Sequence, residues 1–209
     1  MSPVSDNEIH AIVTRVVRQT LGAGNAPALA AEVQTAKPPE VKPAGSSISP
    51  NATTRKVVAI GTDHGGVELK NLLIKELNNL GYTVQDCGTN TVDPVDYPDI
   101  ALAVATLVAE GKAWRGVVID GAGIGSCMAA NKVPGVRAAM CYDYATAVNS
   151  REHNDANVLT LGAGLIGNNL AKQILTTWLA TDFGGGRHAK RVDKIMAIEK
   201  KYGRDGKAA

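Results

Sequence analysis

From Lys56 to Tyr202 the apolar residues alternate between two textures. Short aliphatic runs bounded by glycine or polar residues predict strands: VVAIG at Val57–Gly61, TVQDCG at Thr83–Gly88, VVI at Val117–Ile119, VRAAMCY at Val136–Tyr142 and NVLTLG at Asn157–Gly162. Between them lie stretches with helical spacing at Gly66–Leu80, Tyr97–Glu110, from about Ser126, Asp143–Glu152 and Gly167–Leu179. A basic helix, Ala189–Lys201, follows the Gly184–Gly186 break, and residues 204–209 read as a tail. This order predicts a three-layer α/β/α, Rossmann-like domain over residues 55–203, built on a five-stranded parallel sheet. Such a domain binds ligands at the carboxyl ends of its strands.

The chain before Lys56 follows another pattern. In residues 1–22, Ile9, Ile12, Val13, Val16, Val17 and Thr20 recur at three- and four-residue spacing. Ser5 with Glu8 makes a capping box, and Gly22 stands where a helix would stop, so an amphipathic helix is expected over Ser5–Leu21. His10 belongs to it and reads as solvent-facing. Residues 23–54 are rich in Ala, Pro, Gly and Ser, with Pro27, Pro38, Pro39, Pro43 and Pro50 and no periodicity, and read as a disordered linker. A helix on so long a tether is better placed to dock on another molecule than on its own domain. Only two basic residues flank its apolar face, which disfavours anionic lipid.

Composition narrows the choice of partners. A net charge of +2 over 209 residues gives no general reason to bind nucleic acid, and 4 % aromatic residues leave little for base stacking. Cys87, Cys127 and Cys141 lie far apart with no CxxC pair, so neither zinc nor a disulfide framework is indicated, and the reading is a reduced cytoplasmic protein. No apolar run is long enough for a bilayer, and the N-terminus lacks the basic-then-apolar order of a secretory signal.

The densest chemistry lies in Val117–Lys132, where a strand ends in Asp120, a loop carries Gly121, Gly123 and Gly125, and a helix opens. Uncovered loop amides and a helix start together make a seat for an anion, either a phosphate or an oxyanion formed in a reaction. Glycines after a strand can also serve tight packing alone. A dinucleotide site is disfavoured although Asp143 ends the next strand: Ser126 stands at the third fingerprint glycine, and the loop comes late in the chain. Four further clusters fall at strand ends or loops: Asp63-His64-Gly65-Gly66, Asp96-Tyr97-Pro98, Arg151-Glu152-His153-Asn154-Asp155, and Gly186-Arg187-His188 with Arg191. Asp63 reads equally as a helix cap and Asp96-Tyr97-Pro98 as a turn. Arg187 and Arg191, one helical turn apart, could clamp a phosphate or simply be solvated.

TDHGG, DYPD, GAGIGSCMAANKVPGVRAA, SREHNDANVL and GGRHAKRV, in this order and spacing, resemble the type B ribose-5-phosphate isomerases and the related galactose-6-phosphate isomerase subunits. The resemblance covers Lys56–Tyr202. It implies aldose–ketose isomerisation of a phosphosugar through an enediol, most simply ribose 5-phosphate to ribulose 5-phosphate, without metal or cofactor. It further implies that His153 protonates the ring oxygen and Asp63 assists proton movement. The backbone of Gly121, Ala122, Gly123, Ile124 and Gly125 would hold the enediolate oxygen, and Asn154 the sugar hydroxyls. Arg187 and Arg191, with His64, would grip the phosphate. In the family these arginines reach the partner subunit's site, so a homodimer or a dimer of dimers with shared sites is implied.

Three departures stand out. Asp120 replaces the family's cysteine base, Ala122 a threonine, and Gly164 a phosphate-binding arginine. Asp120 is then either the base itself or a cap in a subunit that needs a related chain; Cys127 is a lesser candidate base. The order of helix, Pro/Ala-rich linker and enzyme resembles the encapsulation peptides of bacterial microcompartment cargo. It implies a shell-protein partner bound through residues 5–21.

Overall fold

The computed structural model describes residues 56–203. The helix expected over residues 1–22, the linker over 23–54 and the tail over 204–209 lie outside the described residues. Five strands, β1 (Val57–Thr62), β2 (Thr83–Asp86), β3 (Arg115–Asp120), β4 (Ala138–Met140) and β5 (Val158–Gly162), form one parallel sheet in the order β2-β1-β3-β5-β4. Six α-helices connect or follow them: α1 (Val67–Asn79), α2 (Tyr97–Ala109), α3 (Ile124–Ala130), α4 (Tyr144–Glu152), α5 (Asn168–Ala180) and α6 (Gly186–Tyr202). The Rossmann-like architecture and the five-stranded parallel sheet are as the hydrophobic pattern predicts.

Alternation along the strands assigns the two faces, because successive side chains point to opposite sides of a sheet. Val58 and Ile60 of β1 and Val117 and Ile119 of β3 pack with Leu69, Leu73 and Leu77 of α1 and Ile174, Leu175 and Trp178 of α5. Ala59 and Val118 face the other way, against Ala101, Val104, Ala105 and Val108 of α2 and Ala130 of α3. The three central strands are covered on both sides, so they read as continuous apolar runs.

Two polar devices complete the frame. Lys70 on α1 is fully buried, and its ammonium donates to Asp86 Oδ2 (2.6 Å) and Oδ1 (2.9 Å), Thr89 O (3.0 Å) and Asn90 Oδ1 (2.7 Å). These acceptors offset its desolvation and tie the loop after β2 to the helix. At the far edge, Asn131 donates through Nδ2 to Ala138 O (3.0 Å) and accepts Ala138 N–H at Oδ1 (2.8 Å). That side chain pairs with β4 as a neighbouring strand would and covers an open edge.

Several boundaries differ from the sequence expectation. β3 begins at Arg115 and takes in Asp120, and α3 opens at Ile124. β4 keeps only Ala138–Met140: the Arg137 carbonyl still accepts Val158 N–H (3.4 Å), but its N–H turns to Asn157 Oδ1 (2.7 Å) and its guanidinium to Asp155. α6 starts at Gly186, so Arg187 and His188 lie in its first turn.

Candidate active site

Strand order switches between β1 and β3, the place where a parallel sheet of this kind forms a crevice at the carboxyl ends of its strands. Asp63 follows β1 directly. Its extended backbone and its Oδ1, which accepts Gly65 N–H at 2.9 Å, cap a 3₁₀ turn over His64–Gly66. The carboxylate is 9 % exposed, and no hydrogen bond among the described residues uses Oδ2. His64 is exposed and accepts Val95 N–H at Nδ1 (3.4 Å), which ties it to the loop before α2.

Asp120, 4 % exposed, closes the other side of the crevice. Its Oδ1 accepts the amides of Ala122 (2.8 Å) and Gly123, while Oδ2 accepts Ser126 N–H (2.9 Å) and Ser126 Oγ–H (2.5 Å). Burial pushes this carboxyl upward, but the bonds from Ser126, Gly123 and Ala122 outweigh it and hold it below the ordinary carboxylate value. Gly123 turns the loop at φ 78°, a conformation that suits glycine. The anion seat is therefore narrower than the sequence suggests. The Ala122 and Gly123 amides are committed to Asp120, while Ile124 and Gly125, at the first two positions of α3, have no intrahelical acceptor.

The ring of Tyr97, at the start of α2, lies against this loop. A Cβ at Gly125 would come within 2.5 Å of it, so a glycine is needed there. Tyr97 thus walls this loop, although Asp96-Tyr97-Pro98 reads from the sequence as a turn and only its DYPD setting marks it. Cys127 faces away and donates Sγ–H to Ala138 O (3.4 Å), and burial raises its thiol above the ordinary value. Gly164 is exposed beside the loop, its N–H donating to Gly121 O (2.9 Å), so no arginine reaches into the crevice from that position.

The remaining candidates lie elsewhere. β4 and β5 are parallel, so α4 between them returns the chain to the amino ends of the strands. His153 and Asn154 follow α4 and sit at that opposite end of the sheet. Asp155, at φ 46°, is gripped there by Arg137 (2.9 Å) just before β4 and by Arg151 (2.8 Å). Arg151 also donates to Ala156 O (2.6 Å) and Thr181 O (3.3 Å) and is 3 % exposed, so it braces the turn. The first turn of α6 arrives beside it, where Gly184 N–H donates to Glu152 O (2.9 Å) and the His153 and His188 rings stack at 4.1 Å. Arg187 and Arg191 are exposed, with no ion pair among the described residues. One chain thus carries two groups of candidates: Asp63, His64, the Asp120 loop and Tyr97 at one end, and His153, Asn154, Arg187 and Arg191 at the other. Among the described residues no group of three or more His, Cys, Asp or Glu side chains is placed to hold a metal ion, and no helix is long and apolar enough to cross a membrane.

The profile of the ribose/galactose isomerase family matches residues 58–195, nearly the whole described domain, and the chain belongs to this family of aldose–ketose isomerases. Among its relatives is ribose-5-phosphate isomerase B of Escherichia coli (strain K12), 43 % identical over 146 residues, covering 70 % of this chain and 98 % of the relative. D-erythrulose-4-phosphate isomerase of Pectobacterium atrosepticum is 43 % identical over 144 residues, covering 68 % of this chain and 94 % of its own length. The solved structure of ribose-5-phosphate isomerase B from Clostridium thermocellum superposes with a TM-score of 0.69 at 53 % identity, covering 70 % of this chain and 99 % of that one.

Proposed function

We propose that this protein interconverts ribose 5-phosphate and ribulose 5-phosphate through an enediol, without metal, at sites each made from two copies of the chain. The observation that carries this reading is the separation of the candidate groups to opposite ends of one sheet. Neither end alone offers a ring-opening acid, a base and a phosphate clamp, whereas two copies laid end to side offer all three twice. His153 of one copy protonates the ring oxygen as its bond to C1 breaks, while the C1 hydroxyl gives its proton to solvent and becomes the carbonyl; Asn154 beside it holds a hydroxyl. Arg187 and Arg191 of that copy, with His64 of the other, grip the phosphate.

Asp120 suits a brace better than a base. Four donors fill its carboxylate, and a general base needs a pKa near the working pH with a free lone pair. Asp63 keeps Oδ2 free at the same crevice, so we assign it the transfer: it takes the proton from C2 and returns it to C1. The hydroxyl proton passes from O2 to O1 in the same intermediate. The enediolate oxygen faces the Ile124 and Gly125 amides, which act where charge develops.

The filled carboxylate of Asp120 and the bare Gly164 also favour a second reading, a subunit that needs a related chain for activity. Purified protein assayed alone against four-, five- and six-carbon sugar phosphates separates the two. Turnover of ribose 5-phosphate, with a loss of roughly 10²- to 10⁴-fold in Asp63→Asn, supports the first. Turnover of another phosphosugar alone would correct only the substrate, and no turnover of any would leave the subunit reading. Residues 5–21 are assigned to docking on a microcompartment shell protein, supported by their apolar stripe and the Pro-rich segment that follows.

A further inference from the structure

His188 is given no task by the mechanism above, yet its setting is unlike that of a solvated histidine. It is 9 % exposed, and its ring lies on that of His153 with centroids 4.1 Å apart and 5° between the planes. Its Nε2 faces Arg187 Nε–H at 3.4 Å and accepts from it, which puts the proton of the neutral ring on Nδ1. That Nδ1 is buried and has no hydrogen-bond partner among the described residues. The charged and titratable groups around the ring are Glu152 at the end of α4, His153 just after it, and Arg187 and Arg191 from α6. Burial and then the neighbouring His153, Arg187 and Arg191 lower its pKa, with only Glu152 opposing them.

His153 has the opposite surroundings. Its side chain is 36 % exposed, its Nδ1 meets the Asn149 amide at 2.8 Å, and its Nε2 pole is left outward, 3.9 Å from Glu152 Oε1. A neutral imidazole stacked in parallel offers its π face to a neighbouring imidazolium, but two imidazoliums at that distance repel. Paired titratable groups whose environments differ in this way commonly divide the roles of an acid–base site. Gly184 permits the approach, since a Cβ there would sit 3.1 Å from Glu152 O.

We propose that His188 is a positioning residue for His153: a neutral aromatic platform that fixes the plane of the acid and supports its protonated form. This rests on the reading of His153 as the ring-opening acid. The experiment compares wild type, His153→Ala, His188→Ala and His188→Phe in kcat, KM and pH profile, with NMR titration of both imidazoles in wild type. His188→Ala should lose roughly ten- to a hundredfold in kcat, the scale of a misplaced catalytic group, with KM little changed. His188→Phe should recover most of it, because a benzene ring stacks without titrating. The acidic limb caused by protonation of His188 should also move to lower pH in that variant. In wild type the His188 imidazole should titrate below the ordinary histidine value. A His188→Ala enzyme with unaltered kcat and pH profile, or a His188 imidazole that titrates at or above the ordinary histidine value, overturns the inference while leaving His153 its role. Full activity in His153→Ala would remove the acid and the platform together.

Discussion

At the residue scale Asp120 is where geometry bears on two roles that the sequence leaves open, a base and a cap. A carboxylate at the end of a central strand, before a glycine loop, has the right chemistry for proton transfer. What the sequence could not convey is that Gly123 would turn the loop so that three amides and a hydroxyl point back at it. Since these bonds lower its pKa in the fold, the stability they give is present above the unfolded value near 3.9 and is lost as pH falls through the folded value. The urea midpoint of wild type should therefore drop as pH is lowered below about 4, and that of Asp120→Asn should drop less. At neutral pH Asp120→Asn should cost about 2 kcal/mol, since its amide NH₂ would face a donor at Ser126. Equal pH dependence in both proteins would count against the brace.

At the element scale the strand–helix alternation was legible almost throughout, because β1, β3 and β5 are covered on both faces and read as unbroken apolar runs. Boundaries were less so where side chains decide them. β4 shrinks where Arg137 turns its side chain to Asp155 and its N–H to Asn157, partners 18 and 20 residues away that no local pattern announces. Lys70 was likewise invisible, since a lysine in an amphipathic helix is ordinarily solvated. It is instead sealed under the loop after β2, and Thr89 N–H of that loop donates to Thr62 O beside Asp63 (3.2 Å). Lys70→Met should lower stability by about 3 kcal/mol, the lower end for breaking a buried pair, because Asp86 keeps 31 % exposure and can be hydrated. Chemical denaturation reads this directly; a change under about 1 kcal/mol would mean that the loop is held by its backbone bonds alone.

At the scale of the whole molecule, the two groups of candidates could be named from the sequence, but not that they lie at opposite ends of the sheet. That follows from the parallel pairing of β4 with β5, which sends α4 back to the amino ends. If two copies share each site, Asp63→Asn and Arg187→Ala damage different contributors. Co-expressed, half of the random dimers are mixed, and each mixed dimer regains one intact site, so about a quarter of wild-type activity should return. Mixtures no better than the single variants would place each site within one chain.

The N-terminal segment belongs to the same scale. The family profile begins at residue 58, and the E. coli relative is covered over 98 % of its length by 70 % of this chain, so the catalytic domain has its counterpart without residues 1–54. A short isolated helix is marginal in water and gains its stability chiefly by burying an apolar face, which Ile9, Ile12, Val13, Val16 and Val17 would supply on docking. Removal of residues 1–54 should therefore leave turnover and Tm of the isomerase unchanged. A fluorescent protein carrying residues 1–54 should co-purify with assembled microcompartment shells. The double variant Ile12→Glu, Val16→Glu should not, because docking would then have to desolvate two carboxylates. A truncated enzyme that melts earlier or turns over more slowly would assign the segment to the catalytic domain, and a fusion that ignores shells would remove the proposed partner.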